Sequence, residues 1–201
     1  MFIQVIHGKA KDAGAIAKQS QRWQDELAPG ATGWLGATEG TTDDGEYIAV
    51  VRFESREAAE ANSKRPEQGE WWNETSQYFD GEVTFHDCDE VDTSRGGGSD
   101  DAGFVQVMEG RASDPARAKA LFGSVDEELA GVRDDVIGTV IAWDGDVFTQ
   151  AIYFTSEADA REGEKRMGAL KPEQRATLDE LQSLSPEVKF YDLRNPTLTS
   201  P

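Results

Sequence analysis

The sequence predicts an α+β protein made of two ferredoxin-like (split βαβ) repeats, and three observations support this prediction. The strand-like segment FIQVIHG at residues 2–8 returns as FVQVMEG at residues 104–110. The order of elements after each copy is the same, β-α-β-β-α-β, with an extra helix before the last strand. A Gly-rich, acidic stretch separates the two copies. We therefore expect repeat 1 at 1–88, a flexible linker at 89–102, repeat 2 at 103–194 and a C-terminal tail at 195–201.

In repeat 1, apolar and β-branched runs predict strands at residues 2–8, 32–39, 47–53 and 82–88. The turn sequence TDDG at 42–45 joins the middle two as a hairpin. Asp12 is a typical N-cap for a helix that reaches about Leu27, with apolar residues at a period of 3.6. Ser55 caps a short helix, and Pro66 suits the first turn of another that ends near residue 79.

Repeat 2 follows the same plan, with strands expected at residues 104–110, 136–143, 147–154 and 187–192. Its hairpin turn is the tripeptide DGD at 144–146. Asp114 and Pro115 pair an N-cap with a proline at the first helical position. Ser156 and Asp159 resemble a capping box, and Pro172 opens the last helix.

The first strand of repeat 1 is apolar on both faces, with Ile3 and Val5 on one side and Phe2 and Ile6 on the other. A four-stranded sheet with helices on one face leaves its other face in water. The simplest cover for that face is the sheet of the other repeat. We therefore expect two four-stranded antiparallel sheets packed face to face as a pseudo-dimeric α/β barrel, with further homodimerisation left open.

The composition excludes several classes of partner. The formal net charge of −19 disfavours nucleic acids and anionic membrane surfaces, because both repel an acidic protein. Cys88 is the only cysteine, so no internal disulfide can form, which suits a reducing compartment. The N-terminus shows no signal segment and no apolar window is long enough to span a membrane. These features predict a cytoplasmic protein.

The order of elements, the FIQVIHG strand and the hairpin followed by Arg52-Phe53-Glu54-Ser55 resemble the antibiotic biosynthesis monooxygenase-like members of the dimeric α/β-barrel superfamily. The resemblance covers nearly all of both repeats, as if two copies were fused in one chain. It implies a barrel fold. Some members of that family are cofactor-independent monooxygenases of polycyclic aromatic substrates, others degrade haem, and many have no known activity.

Gln4 and Gln106 are the first candidate site residues, since a polar amide inside an apolar strand needs a hydrogen-bond partner. Haem-degrading relatives carry an Asn on this strand, with a Trp and a His on helices after the hairpin. No His occurs between Tyr47 and Phe79 here, so a haem site would lack its iron ligand. The alternative role for both glutamines is to satisfy backbone groups at a strand bend.

Aromatic residues of repeat 1 are the second group. Large rigid rings can wall a pocket for a planar ligand. Repeat 2 has aliphatic residues in these regions, which favours repeat 1 if only one repeat keeps a cavity. The alternative is an aromatic-rich core or an interface. The predicted wall residues are Trp23, Trp71, Trp72 and Tyr78.

His7 and His86, on the first and last strands of repeat 1, are the candidate catalytic bases, because imidazole titrates near neutral pH. A metal site built from them and Cys88 matches no standard zinc spacing, so we expect no metal and no bound cofactor. The alternative is that both histidines are polar strand ends at the sheet rim.

Together these features predict a protein that binds a small aromatic or polyketide-like molecule. As a cofactor-independent monooxygenase, it would orient the ligand with Gln4, enclose it with the aromatic wall and deprotonate it with His7 or His86. The alternative is a non-catalytic binding or interaction scaffold, because no compact acid–base motif occurs in the sequence.

Overall fold

The computed structural model describes residues 1–201, which form two compact units. Unit 1 contains Met1–Val91 and Asn195–Pro201, and unit 2 contains Asp92–Arg194. Each unit has one antiparallel sheet with its own helices, so the predicted α+β fold of tandem ferredoxin-like repeats is confirmed. None of the helices has the length and apolar character that a membrane crossing requires.

The ten strands are β1 (Phe2–Ala10), β2 (Trp34–Thr41), β3 (Glu46–Phe53), β4 (Phe79–Cys88), β5 (Glu90–Ser94), β6 (Phe104–Arg111), β7 (Val136–Asp144), β8 (Val147–Phe154), β9 (Val188–Leu193) and β10 (Thr197–Thr199). The six α-helices are α1 (Ala13–Arg22), α2 (Arg56–Ser63), α3 (Pro66–Thr75), α4 (Pro115–Leu129), α5 (Glu157–Arg166) and α6 (Pro172–Leu184). A π-helical turn, Trp23–Leu27, extends α1 to the predicted end of that helix.

The helices begin where their capping residues predict. Asp12 and Asp114 accept hydrogen bonds from the backbone N–H groups of Ala15 and Arg117, three residues into each helix. Ser156 accepts one from the backbone N–H of Asp159 at the start of α5. Helices α3 and α6 both open with a proline at the first position, as the sequence indicates.

Each sheet has five strands where the sequence predicts four. The orders are β10-β2-β3-β1-β4 in unit 1 and β5-β7-β8-β6-β9 in unit 2. The fifth strand of unit 1 comes from the C-terminal tail, and that of unit 2 from the segment expected to be a flexible linker. An edge strand presents unpaired backbone N–H and C=O groups, and the backbones of these two short segments, which contain β-branched residues, pair with those groups.

Strand β4 begins earlier than predicted. The sequence predicts that this strand begins at residue 82, but Asp80 already pairs with Lys9 within the sheet. The register between β1 and β4 shifts at this point, and Gly81 has a φ of 79°. A glycine tolerates that conformation, so the chain accommodates a bulge and the strand continues through it.

Strand registers define equivalent positions in the two units. Gln4 pairs with Val51 and Asp87 on its neighbouring strands, and Gln106 pairs with Ile152 and Asp192. In both units the even-numbered residues of the first strand face the helices, because side chains alternate along a strand. The odd-numbered residues Ile3 and Val5 are fully buried on the opposite face, and Phe2 is buried on the helix face, so the prediction of a strand buried on both sides is confirmed.

Candidate functional site

Gln4 and Gln106 occupy equivalent positions on the helix-facing side of the two sheets. The Gln4 side-chain amide donates to Asp87 Oδ1 at 2.9 Å, and Gln106 makes the same bond to Asp192 Oδ1, also at 2.9 Å. Each carboxylate is further paired with an arginine, Arg56 in unit 1 and Arg161 in unit 2. The partners are therefore side chains on the adjacent strand and not backbone groups at a bend.

A cavity of about 90 Å³ lies between the sheet and the helices of unit 1. Of the predicted pocket residues, Gln4, Trp23 and Trp71 line it. Trp72 and Tyr78 pack elsewhere, in a cluster around Phe79. The Trp72 ring lies 6.1 Å from the ring of Phe79, so this part of the predicted wall belongs to the core of the unit.

The structure does not bring the histidines to this cavity. His7 lies on the sheet face opposite the helices, and its Nε2 is 3.2 Å from Glu46 Oε2. His86 pairs with Val5 across β1 and β4, which places it on the same opposite face. The predicted grouping of a histidine base with the tryptophan wall is thus not formed around the unit 1 cavity.

A carboxylate that the sequence analysis did not single out lies in the cavity instead. Glu39 on β2 accepts two hydrogen bonds at Oε2, one from the hydroxyl of Tyr47 and one from Ser20 Oγ at 2.8 Å. Glu39 and Tyr47 are diagonal neighbours, since Glu39 pairs with Ala49 in the β2–β3 hairpin. Ser20 reaches them from α1, where it is buried.

Burial sets the protonation of this cluster. Removal from bulk water raises the pKa of Glu39, and the hydrogen bonds from Tyr47 and Ser20 oppose that shift. Burial also raises the pKa of Tyr47 well above its ordinary value, with the Glu39 charge acting in the same direction. Tyr47 is therefore a hydrogen-bond donor at neutral pH.

The sequence contained a weak indication of Glu39. Glu39 and Ala37 lie two residues apart in the strand predicted at residues 32–39, so their side chains are on the same face of the sheet, the one that carries the helices. Its link to Tyr47 depends on the hairpin register, which local patterning does not determine. The partnership with Ser20 depends on where α1 packs, which only the tertiary structure shows.

Unit 2 has hydrocarbon at all three equivalent positions. By strand register and by distance from the helix caps, Phe122, Ile141 and Phe148 correspond to Ser20, Glu39 and Tyr47. The rings of Phe122 and Phe148 meet edge to face at 5.3 Å, in one apolar cluster with Ile141. The same fold is therefore stable without the polar cluster.

Unit 2 contains a second and more spacious cavity, of about 720 Å³. Its floor is formed by two rows of side chains across the sheet, each row taking one residue from each neighbouring strand. Helices α4 and α6 form the roof, through residues such as Val125 and Leu181. The first row is Thr139, Ile152 and Gln106, and the second is Ile141, Gln150, Met108 and Phe190.

Side-chain size explains the difference between the two cavities. Trp34, which pairs with Phe53, is equivalent to Val136, which pairs with Phe154 in unit 2. Trp23 in unit 1 is likewise equivalent to Val125 in unit 2, by its distance from the helix N-cap. Indole rings fill the space over the sheet of unit 1, whereas the smaller valines leave it open in unit 2. The sequence favours repeat 1 if only one repeat keeps a cavity; both units have one, and that of unit 1 is the smaller because tryptophans occupy most of the space.

Two largely buried polar side chains lie on the unit 2 floor. Gln150 is 9% exposed and Thr139 is 7% exposed, and both line the cavity. They are diagonal neighbours on β8 and β7, since Gln150 pairs with Ile141 and Thr139 with Ile152. The buried hydroxyl of Ser94, which also lines the cavity, has no hydrogen-bond partner in the protein, so these polar groups mark where a ligand could bind.

The charged groups around the unit 2 cavity are mutually compensated. Arg95 pairs with Asp126 at 3.1 Å, and Arg133 pairs with Asp135 at 2.9 Å. Lys119 lies over the ring of Trp143, 5.0 Å from its centroid. The lining contains three cationic residues and four acidic ones, so the cavity favours a neutral ligand over a strongly charged one.

Comparison with known proteins relates the whole chain to solved structures. No protein-family model matches the sequence. No curated protein matches it either. A crystal structure named "putative monooxygenase" from Fusobacterium nucleatum is 9% identical; the match covers 99% of this chain and 94% of that one, with a TM-score of 0.72. Another of the same name from Lactobacillus acidophilus is 12% identical; the match covers 99% of this chain and 99% of that one, with a TM-score of 0.68. An anthrone oxidase-like protein has 10% identity, coverage of 99% of this chain and 93% of its own length, and a TM-score of 0.63.

At these identities the likeness concerns the fold. The match over 99% of the chain shows that the tandem arrangement of two repeats also occurs in these proteins. The resemblance in fold that the sequence predicts is therefore confirmed. The chemistry must be argued from the two cavities.

Proposed function

We propose that this protein binds a small, neutral, aromatic or polyketide-like molecule in the cavity of unit 2. The observations that support this proposal are the largely buried amide of Gln150 and the buried, unpartnered hydroxyl of Ser94, which both line the 720 Å³ cavity. Burying a polar group without a hydrogen bond costs free energy, and a ligand with a carbonyl or hydroxyl group would remove that cost.

The cavity has the size and lining expected of such a site. Ligand pockets have volumes of roughly 300–1,000 Å³ and are mostly apolar, with a few polar groups that orient the ligand. Here Ile141, Ile152 and Leu181 provide apolar surface, while Thr139 and Gln150 provide donors and acceptors on the floor. Gln106 is held by Asp192 through its amide nitrogen, which leaves its carbonyl oxygen as a fixed acceptor.

The reaction that we propose for such a ligand is a cofactor-independent monooxygenation. An apolar cavity could enclose a phenol-like substrate together with dioxygen and exclude water from the reactive intermediate. The names of the two structures with whole-chain likeness, and that of the anthrone oxidase-like protein, support this choice. The second candidate is binding without turnover, which the mutual compensation of the lining charges favours.

Binding can be tested with a substitution that unit 1 itself suggests. Calorimetric titration of the full chain with anthrone and with naphthols is expected to give saturable micromolar binding. Val136→Trp, which places in unit 2 the residue found in unit 1, should fill the cavity and weaken binding at least tenfold. Trp34→Val, the reverse change in unit 1, should leave this binding unchanged. Absence of binding by the wild-type protein would overturn the proposal.

Turnover is tested separately with an oxygen electrode. For a ligand that binds, oxygen uptake in proportion to product, lost in Val136→Trp, would support the monooxygenase. Saturable binding with no oxygen uptake and no product would support the non-catalytic binding protein.

A further inference from the structure

We propose that the cavity of unit 1 is a second ligand site, which takes a small organic cation such as an alkylated ammonium group. Glu39 would supply the opposite charge and the surrounding aromatic rings would form the walls. This site is independent of the one proposed in unit 2.

The charge around the cavity is unbalanced. Glu39 and Tyr47 are the only titratable residues among those that line it, and no lysine or arginine does so. Glu39 forms no ion pair, and both of its hydrogen bonds are accepted by Oε2, which leaves Oε1 without a protein partner. A carboxylate withdrawn from water either takes up a proton or gains a cation. A cationic ligand would be the missing counter-charge.

The walls suit an organic cation better than a metal ion. Five of the fifteen lining residues are aromatic: Trp23, Trp34, Tyr47, Phe53 and Trp71. The negative faces of such rings attract alkylammonium groups, and tryptophan does so most strongly. A bare metal ion requires several oxygen, nitrogen or sulfur ligands, and the cavity offers a single carboxylate.

The tryptophans are also fixed in position. The indole N–H of Trp23 donates to Gln68 Oε1 at 2.6 Å, and that of Trp71 donates to the backbone carbonyl of Gln19 at 2.9 Å. The rings of Trp23 and Trp34 meet edge to face at 5.1 Å. Walls fixed in this way lose little conformational entropy when a ligand binds.

Volume and access limit the ligand to a small one. About 90 Å³ of space suits a compact methylated ammonium group and excludes the polycyclic molecules that fit unit 2. Ser63, at the end of α2, lines the cavity and is exposed, so the cavity reaches the surface between α2 and α3.

Unit 2 shows that the fold does not need this arrangement. At the positions of Ser20, Glu39 and Tyr47 it has two phenylalanines and an isoleucine, and two of the three tryptophan positions are valines. A partly buried carboxylate costs stability compared with hydrocarbon of similar size. Its presence in only one of two equivalent places is expected of a binding group.

The test compares two ligands of the same shape. Choline and its neutral analogue 3,3-dimethyl-1-butanol are titrated into the full chain by calorimetry, with tryptophan fluorescence as a second readout. We expect choline to bind at least ten times more tightly than the neutral analogue. Equal binding of the two, or no binding of choline, would overturn the proposal, and this comparison needs no variant.

Variants then locate the site. Glu39→Gln should lower choline affinity at least tenfold and leave the neutral analogue unaffected. Glu46→Gln, which removes a carboxylate of the same hairpin that does not line the cavity, should bind choline as the wild type does. Val136→Trp should also bind choline normally, because it fills only the unit 2 cavity. Full retention of choline binding in a folded Glu39→Gln variant would refute the assignment to Glu39.

The pH dependence provides a further check. Proton and cation compete for Glu39, so choline affinity should rise with pH as this carboxyl group ionises. The other elements around the cavity present Tyr47 from β3, Ser20 from α1, Asn62 and Ser63 from α2, and Gln68 and Trp71 from α3, none of which changes charge near neutral pH. An affinity that falls as the pH rises would contradict a carboxylate counter-charge.

Discussion

Replacement of Gln150 by leucine should raise the stability of unit 2 and weaken its ligand binding at the same time. The side chain is only 9% exposed and lines the cavity. If a residue is retained for folding, its replacement lowers the free energy of unfolding of the protein. A residue kept for binding can be costly in the free protein, so the two roles predict opposite signs.

The upper limit of the magnitude is the cost of leaving a fully buried amide without a hydrogen bond, which is about 1–3 kcal/mol. The cavity is large enough to admit water, so we expect the lower part of that range, a gain of about 1–2 kcal/mol in the free energy of unfolding. Loss of one hydrogen bond to the ligand should weaken the binding of a hydroxylated aromatic by roughly 5- to 10-fold. The parent hydrocarbon without the hydroxyl group should bind equally to both proteins.

Gln106→Leu is the matched control, because Gln106 lies on the same floor but its amide is bonded to Asp192 at 2.9 Å. Loss of this hydrogen bond in Gln106→Leu should lower the free energy of unfolding of unit 2 by about 1–2 kcal/mol. Native-state hydrogen exchange of the backbone amides of β7 and β8, followed over a series of urea concentrations, measures the free energy of unfolding of unit 2 separately from that of unit 1. A loss of stability in Gln150→Leu similar to that in Gln106→Leu, or unchanged affinity for the hydroxylated ligand, would refute the reasoning.

Three further outcomes are expected. Trp34→Val should lower the unfolding free energy of unit 1 by about 2–4 kcal/mol in urea, because a ring only 8% exposed leaves a void beside Trp23. Burial raises the pKa of Glu39 above its ordinary value of 4.5, so the folded state binds this proton more tightly. The stability that Glu39 contributes to unit 1 should be fully present below pH 4.5 and be lost as the pH rises through the raised pKa; the difference between the wild type and Glu39→Gln in urea unfolding over a pH series measures this contribution. Asp114→Ala should cost unit 2 about 1 kcal/mol in the same assay, since its carboxylate caps α4; an unchanged midpoint would show that the cap contributes nothing.

Part of the candidate site could be read from the sequence and part could not. Gln4, Trp23 and Trp71, which the sequence singles out as a polar residue in an apolar strand and as aromatic residues on helices, lie around the unit 1 cavity. The histidines were grouped with them although strand alternation places His7 and Gln4 on opposite faces. Which of those faces carries the helices, and hence the cavity, depends on how the elements pack.

The sequence by itself determined the repeat, the order of the elements and the ends of most helices. These features depend on local information: period-2 and period-3.6 patterns, capping residues such as Asp12 and Asp114, and turn residues in the hairpins. The tertiary structure decided the fifth strand of each sheet, the meeting of Ser20, Glu39 and Tyr47, and the size of each cavity. Those depend on strand register and on the volume left between a sheet and its helices: the unit with Trp34 has a cavity of about 90 Å³, and the unit with Val136 at the equivalent position has one of about 720 Å³.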